Sequence, residues 1–161
     1  MKRILVIDDE PFVRDALKRV LEDEELSVDV AADAEAALVQ LNSLSYDLAI
    51  LDIIMPGMDG VELIRRLRAE FPAMRVVAIS GGGNFELSGY GPEAVTTRAY
   101  LAAAASAGAD AVLAKPFETA ELEALLHDHQ LHLEKEYAAR RERLDAEFGR
   151  AKFESQQARR I

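Results

Sequence analysis

Five short apolar runs, each followed by a stretch with helical spacing, constrain this chain more than any single residue does. The runs cover Arg3 to Ile7, Ser27 to Ala31, Leu48 to Leu51, Val76 to Ser80 and Ala111 to Ala114. Runs of this kind, apolar almost throughout, belong to strands buried on both faces, and strands that alternate with helices form parallel sheets. Between them, Phe12, Ala16, Leu17, Val20 and Leu21 recur at helical spacing, as do Ala37, Leu38 and Leu41, and then Val61, Ile64 and Leu67. These stripes are expected to form the core, so the fold class is α/β, a doubly wound five-stranded parallel sheet.

The connection after the fourth run is longer and less regular. Gly81-Gly82-Gly83-Asn84 and Ser88-Gly89-Tyr90-Gly91-Pro92 read as turns, and the alanine-rich stretch from Arg98 to Ala107 reads as helix. After Lys115-Pro116-Phe117, Thr119 is an expected N-cap for a helix bearing Leu122, Leu125 and Leu126. From His127 the chain is highly charged, and Leu133, Tyr137, Leu144 and Phe148 form one thin apolar stripe. Its heptad register is poor, because Arg140 and Glu147 fall at seam positions. The 161 residues, half of them hydrophobic, thus divide into one domain over 1–126 and a charged helical extension over 127–161.

Charge narrows the partners. Residues 1–126 carry 22 acidic and 11 basic side chains, a net charge of -11, while residues 127–161 carry 7 and 8, a net of +1. An acidic body repels nucleic acid phosphates, and the extension lacks the basic stripe that non-specific binding requires. No nucleic acid and no membrane are expected as partners, since no apolar run reaches spanning length. The absence of cysteine rules out a thiolate metal site and suits a cytoplasmic chain.

In an open parallel sheet, ligands bind outside the carboxyl ends of the strands, near the point where strand order reverses. Here the first run ends in Asp8-Asp9, the third in Asp52, the fourth in Ser80 and the fifth in Lys115. Three carboxylates converging on one rim repel each other unless a cation neutralises them, and a hard, oxygen-preferring ion such as Mg²⁺ suits them. A phosphoryl group transferred to one Asp needs donors and positive charge around its oxygens, which Ser80, Lys115 and the metal can supply. Simpler roles compete. Asp8 or Asp9 can cap the following helix, Asp59 the next one, Lys115 can be a structural ion-pair partner, and Glu10 suits the first turn of a helix. His127, His129 and His132 are expected to be solvent-exposed and are assigned no chemistry.

The segments Val6-Ile7-Asp8-Asp9-Glu10-Pro11, Leu51-Asp52-Ile53-Ile54-Met55-Pro56-Gly57-Met58-Asp59-Gly60, Ile79-Ser80, and Gly108-Ala109-Asp110 through Lys115-Pro116-Phe117 resemble the receiver domain of bacterial two-component response regulators. The resemblance spans residues 2 to about 126. It implies a flavodoxin-like sheet of order 2-1-3-4-5, which comes with the family and not from the residue pattern. It also implies that Asp52 is the phosphoryl acceptor, that Asp9, Asp52 and the main-chain carbonyl of Ile54 bind Mg²⁺ directly, and that Asp8 acts mainly through water. Ser80 matches the hydroxyl that reports phosphorylation, Lys115 the ammonium that contacts the phosphoryl group, and Lys115-Pro116 a peptide bond that is often cis. The implied partners are a sensor histidine kinase or a histidine phosphotransfer protein, and an unknown downstream protein.

Two features depart from the family pattern. The position three before the lysine often carries Tyr or Phe; here it is Val112. The stretch from Ser80 to Lys115 is longer than usual, which is compatible with a lid or altered partner surface and equally with a tolerated insertion. A phosphohydrolase with an aspartyl-phosphate intermediate is the enzyme alternative, but Ile54 stands where such enzymes carry their general acid. A vestigial receiver acting as an interaction module is a third reading. The leading expectation is a stand-alone switch, not a classical enzyme, that signals by protein contact. Two copies could also pair, through the C-terminal helix or the face around the fourth and fifth strands.

Overall fold

The structure, a computed structural model, describes residues 2–22, 26–81, 92–118 and 120–127, apart from the side chains of 92–96. In chain order the elements are β1 (Lys2–Ile7), α1 (Pro11–Leu21), β2 (Leu26–Ala31), α2 (Ala34–Ser43), β3 (Leu48–Asp52), α3 (Gly60–Glu70), β4 (Arg75–Ser80), α4 (Pro92–Ala107) and β5 (Ala111–Ala114). Every strand pairing is parallel and the order is β2-β1-β3-β4-β5. This is the expected flavodoxin-like sheet. The chain divides into two compact units, Met1–Thr119 and Ala120–Ile161. In the second, residues 120–127 are helical, with Leu122 buried and His127 exposed. The Thr119 cap, His129, His132, the stripe from Leu133 to Phe148 and the glycine-rich stretch 82–91 lie outside the described residues.

Strand alternation explains why the runs are apolar throughout. Leu5, Ile7, Ala49, Leu51, Val76 and Ala78 face one side and pack with Ala37, Leu38 and Leu41 of α2, Leu63, Ile64 and Leu67 of α3, and Ala104 of α4. Ile4, Val6, Val28, Leu48, Ile50, Val77 and Ile79 face the other side and are also buried. Each such side chain, moved out of water, contributes roughly 1.5–3 kcal/mol. Among the described residues, no helix is long and apolar enough to cross a membrane.

The expectation for α1 needs correction. Leu17 and Leu21 are buried, but Phe12 is 84% exposed, Val20 is 49% exposed, and Ala16 is exposed. Residues 13, 17 and 21 form one i, i+4 row and residues 12, 16 and 20 another, about 100° away around the helix. A helix lying on a sheet buries one row, and the sheet takes the one ending in Leu17 and Leu21. A second correction concerns Pro92, read as a turn residue: it is the first residue of α4, where its missing N–H costs nothing and its fixed φ suits the helix.

At the edge of the sheet opposite the strand ends of interest, Arg68 of α3 ties three segments together. Its Nε donates to the Gly108 carbonyl at 2.6 Å, one Nη donates to the Met74 carbonyl at 2.7 Å, and the other donates to the Asp110 carboxylate. The same carboxylate accepts the Val76 N–H at 2.7 Å. Arg68→Ala leaves two carbonyls without their donor and takes the guanidinium from the Asp110 carboxylate, which keeps the Val76 N–H, so it should destabilise the fold by about 2–3 kcal/mol, measured by urea unfolding. Arg68→Lys, whose three donors share one nitrogen and cannot span acceptors reached by three separate guanidinium nitrogens, should recover only a minor part.

Candidate functional site

The strand order reverses between β1 and β3, because the chain runs from β1 outward to β2 and returns to the other side of β1. The carboxyl ends of these two neighbours are where Asp8 and Asp52 lie. By alternation Asp8 shares the side of Ile4 and Val6, and Asp52 the side of Leu48 and Ile50. Both aspartates are buried, at 2% and 6% exposure, whereas Asp9 is exposed. Carboxylate oxygens of Asp8, Asp9 and Asp52 all lie within 4.8 Å of one another.

Lys115, immediately after β5, supplies the counter-charge. Its Nζ lies 3.0 Å from Asp8 Oδ2 and 2.9 Å from Asp52 Oδ2. The second oxygen of each carboxylate takes a backbone donor two residues on: Glu10 N–H to Asp8 Oδ1 at 2.9 Å, and Ile54 N–H to Asp52 Oδ1 at 3.0 Å. Both carboxylates therefore hold fixed orientations. Neither Asp8 nor Asp9 caps α1; the N-cap is Glu10, outside the first turn, and its side chain makes no cap bond. Asp59 does cap α3, accepting the Glu62 N–H at 2.8 Å.

The electrostatics follow from burial. Burial pushes the Asp52 carboxyl up, and the Asp8 charge adds to that, against the hydrogen bonds from Lys115 and Ile54. Burial by itself lowers Lys115, but its bonds to Asp52 and Asp8 outweigh this and leave it raised, so the ammonium stays charged. One positive charge is shared by two buried carboxylates, with a third acid at the mouth.

Ser80 closes β4, one residue beyond the Ile79 that pairs with Asp52. It is fully buried, and its Oγ has no hydrogen-bond partner. A buried hydroxyl left without a partner costs roughly 1–3 kcal/mol. The structure thus brings Asp8, Asp52 and Lys115 into direct contact, sets Asp9 beside them, and leaves the Ser80 hydroxyl unpaired. The Lys115-Pro116 peptide bond is cis.

Two further residues serve this rim. Arg14, on the second turn of α1, donates from its guanidinium to the main-chain carbonyl of Asp8 and so fixes the β1–α1 connection. Gly60 opens α3 against the end of β3: a Cβ there would lie 2.5 Å from Ile53 Cα and 2.6 Å from the Asp52 carbonyl oxygen. The Gly60 signal was visible within Met-Asp-Gly; that of Arg14 was only a basic residue on a helix.

Comparison with known proteins agrees with this geometry. Residues 4–89 of the 161 match the model of the response regulator receiver domain. The two-component response regulator PhoP of Pseudomonas aeruginosa is 34% identical over 125 residues, covering 78% of this chain and 50% of PhoP. The transcriptional regulatory protein TcrA of Mycobacterium tuberculosis is 37% identical over 124 residues, covering 77% of this chain and 44% of TcrA. The chain therefore spans about half the length of these curated relatives. Among solved structures, a CheY-like receiver domain protein from Methanospirillum hungatei superposes with a TM-score of 0.70 at 29% identity, covering 84% of this chain and 98% of that one. The receiver domain of NtrX from Brucella abortus does so with a TM-score of 0.66 at 31% identity, covering 78% and 96%. With the family model spanning more than half of the sequence and solved receiver domains matched along nearly their full length, the chain belongs to the response regulator receiver family of two-component signalling.

Proposed function

We propose that this receiver accepts a phosphoryl group on Asp52 and passes the signal on through protein contacts. The observation that carries the reading is the Lys115 ammonium, 2.9 Å from Asp52 Oδ2, inside a cluster of three carboxylates. An Asp52 oxygen attacks the phosphorus of the donor and forms an O–P bond. With a phosphohistidine donor the P–N bond breaks and its electron pair goes to the imidazole, which leaves neutral when its other nitrogen carries a proton. With acetyl phosphate the P–O bond breaks and acetate leaves. Lys115 then contacts one phosphoryl oxygen, and the unpaired Ser80 hydroxyl donates to another.

The residues present fit Mg²⁺: Asp9, Asp52 and the Ile54 carbonyl would hold the ion, with Asp8 behind a water. Bound there, it would neutralise the charge gathered between the attacking carboxylate and the incoming phosphoryl group. The donor would be a sensor histidine kinase or a histidine phosphotransfer protein, in keeping with the two-component relatives. The acidic body, at -11 over residues 1–126, favours a protein over nucleic acid as the target of this domain.

Three measurements test the reading. Mass spectrometry of protein incubated with Mg²⁺ and acetyl phosphate should give a single phosphoryl adduct that disappears in Asp52→Ala or with chelator. A wild type that binds Mg²⁺ yet never labels would favour a vestigial interaction module, and rapid turnover would favour a hydrolase. Ile54, 43% exposed at the mouth of the site, offers an attacking water no proton acceptor and crowds it. Ile54→Asn should therefore shorten the lifetime of the adduct roughly tenfold.

Stability gives the third. The Asp52 carboxyl is raised by burial, so its ionisation costs folding free energy as pH climbs through its unfolded pKa, a cost fully present above the folded pKa. Asn at this position keeps one acceptor oxygen for one of the two donors, Lys115 or Ile54, and turns its NH2 toward the other, but it removes the buried charge. In metal-free buffer at neutral pH, Asp52→Asn should be more stable than wild type by on the order of 1 kcal/mol. The gain should fade as pH falls through the carboxylate range, as thermal melting would show.

A further inference from the structure

We infer that Gly81 is a positioning residue for Lys115: the absence of a side chain at the end of β4 lets the lysine stem lie across it and deliver its ammonium to both Asp8 and Asp52. The inference deepens the proposed acceptor reading and rests on it for the role of Lys115.

The observation is steric. A Cβ built on Gly81 would lie 2.5 Å from Lys115 Cβ, 3.1 Å from its Cδ and 3.2 Å from its Cγ. Non-bonded carbons normally sit about 3.5–4.0 Å apart. The nearest atom is the root of the lysine side chain, not its mobile end, so a change of rotamer does not relieve the contact. The backbones cannot separate freely either, because the Lys115 N–H donates to the Ser80 carbonyl at 2.8 Å and Ser80 pairs with Ala114. A methyl at position 81 must therefore move the point from which the lysine stem starts.

Position matters at the far end of that stem. Lys115 Nζ meets two carboxylates at 2.9 and 3.0 Å, and a displaced root trades at least one of these contacts for water. A strand-end glycine here acts on the reaction without touching the reacting atoms.

The test is a cycle of wild type, Gly81→Ala, Lys115→Met and the double variant, read by Mg²⁺ titration and by the initial rate of labelling with acetyl phosphate. Lys115→Met should bind Mg²⁺ more tightly, since a cation competing for the carboxylates is gone. Gly81→Ala should tighten Mg²⁺ binding about threefold or more and slow labelling roughly tenfold. In the Lys115→Met background the Gly81 substitution should change neither value, because the group it acts through is missing. Wild-type Mg²⁺ affinity and labelling rate in Gly81→Ala overturn the inference, as do effects that multiply in the double variant. If Gly81→Ala fails to fold, Gly81→Ala combined with Lys115→Gly should fold and melt close to Lys115→Gly alone, since the clashing Cβ is removed. A pair that still fails overturns it. Wild type that does not label sinks the acceptor reading, while the Mg²⁺ cycle decides the role of Gly81 independently.

Discussion

A single ammonium shared between two buried carboxylates is the contact on which the site depends. Asp8 follows β1, Asp52 ends β3 and Lys115 follows β5, so the ion triplet joins three strands distant in sequence. Bringing two carboxylates into a desolvated crevice is unfavourable, and one lysine cannot neutralise both together with Asp9. The site is therefore held short of positive charge. It keeps its geometry through the Glu10 and Ile54 backbone donors.

The rest of the domain supplies rigidity around this tension. The sheet is packed on both faces, and α3 is held at its start by the Asp59 cap and at its far end by the Arg68 bonds to Gly108, Met74 and Asp110. Those bonds lie at the opposite edge from the carboxylates. Order at both ends of β4 leaves the Ser80 hydroxyl as the one buried side-chain polar atom without a partner among the described residues.

Most of the fold was legible because strand pattern and chain order are local properties. The five runs agree with the observed strands to within a residue or so, and the Ala37, Leu38 and Leu41 stripe is buried as expected. The α1 stripe was not, because two apolar rows occur on that helix and only contact with β1 and β2 selects between them. The residues Asp8, Asp9, Asp52, Ser80 and Lys115 were legible as strand-end chemistry. That Lys115 bridges two of the carboxylates and that Asp9 alone stands exposed were not.

Sequence alone determined the class of the fold, the order of its elements and the identity of the polar groups at the strand ends, since periodicity and residue type need no knowledge of distant neighbours. Tertiary structure decided which groups touch. Gly81 shows the difference: in the sequence it is the first of three glycines and reads as loop, whereas in the structure it is the place where β4 and the Lys115 stem come too close for a Cβ. Contacts between residues 34 positions apart arise only when the sheet closes, and no local pattern encodes them.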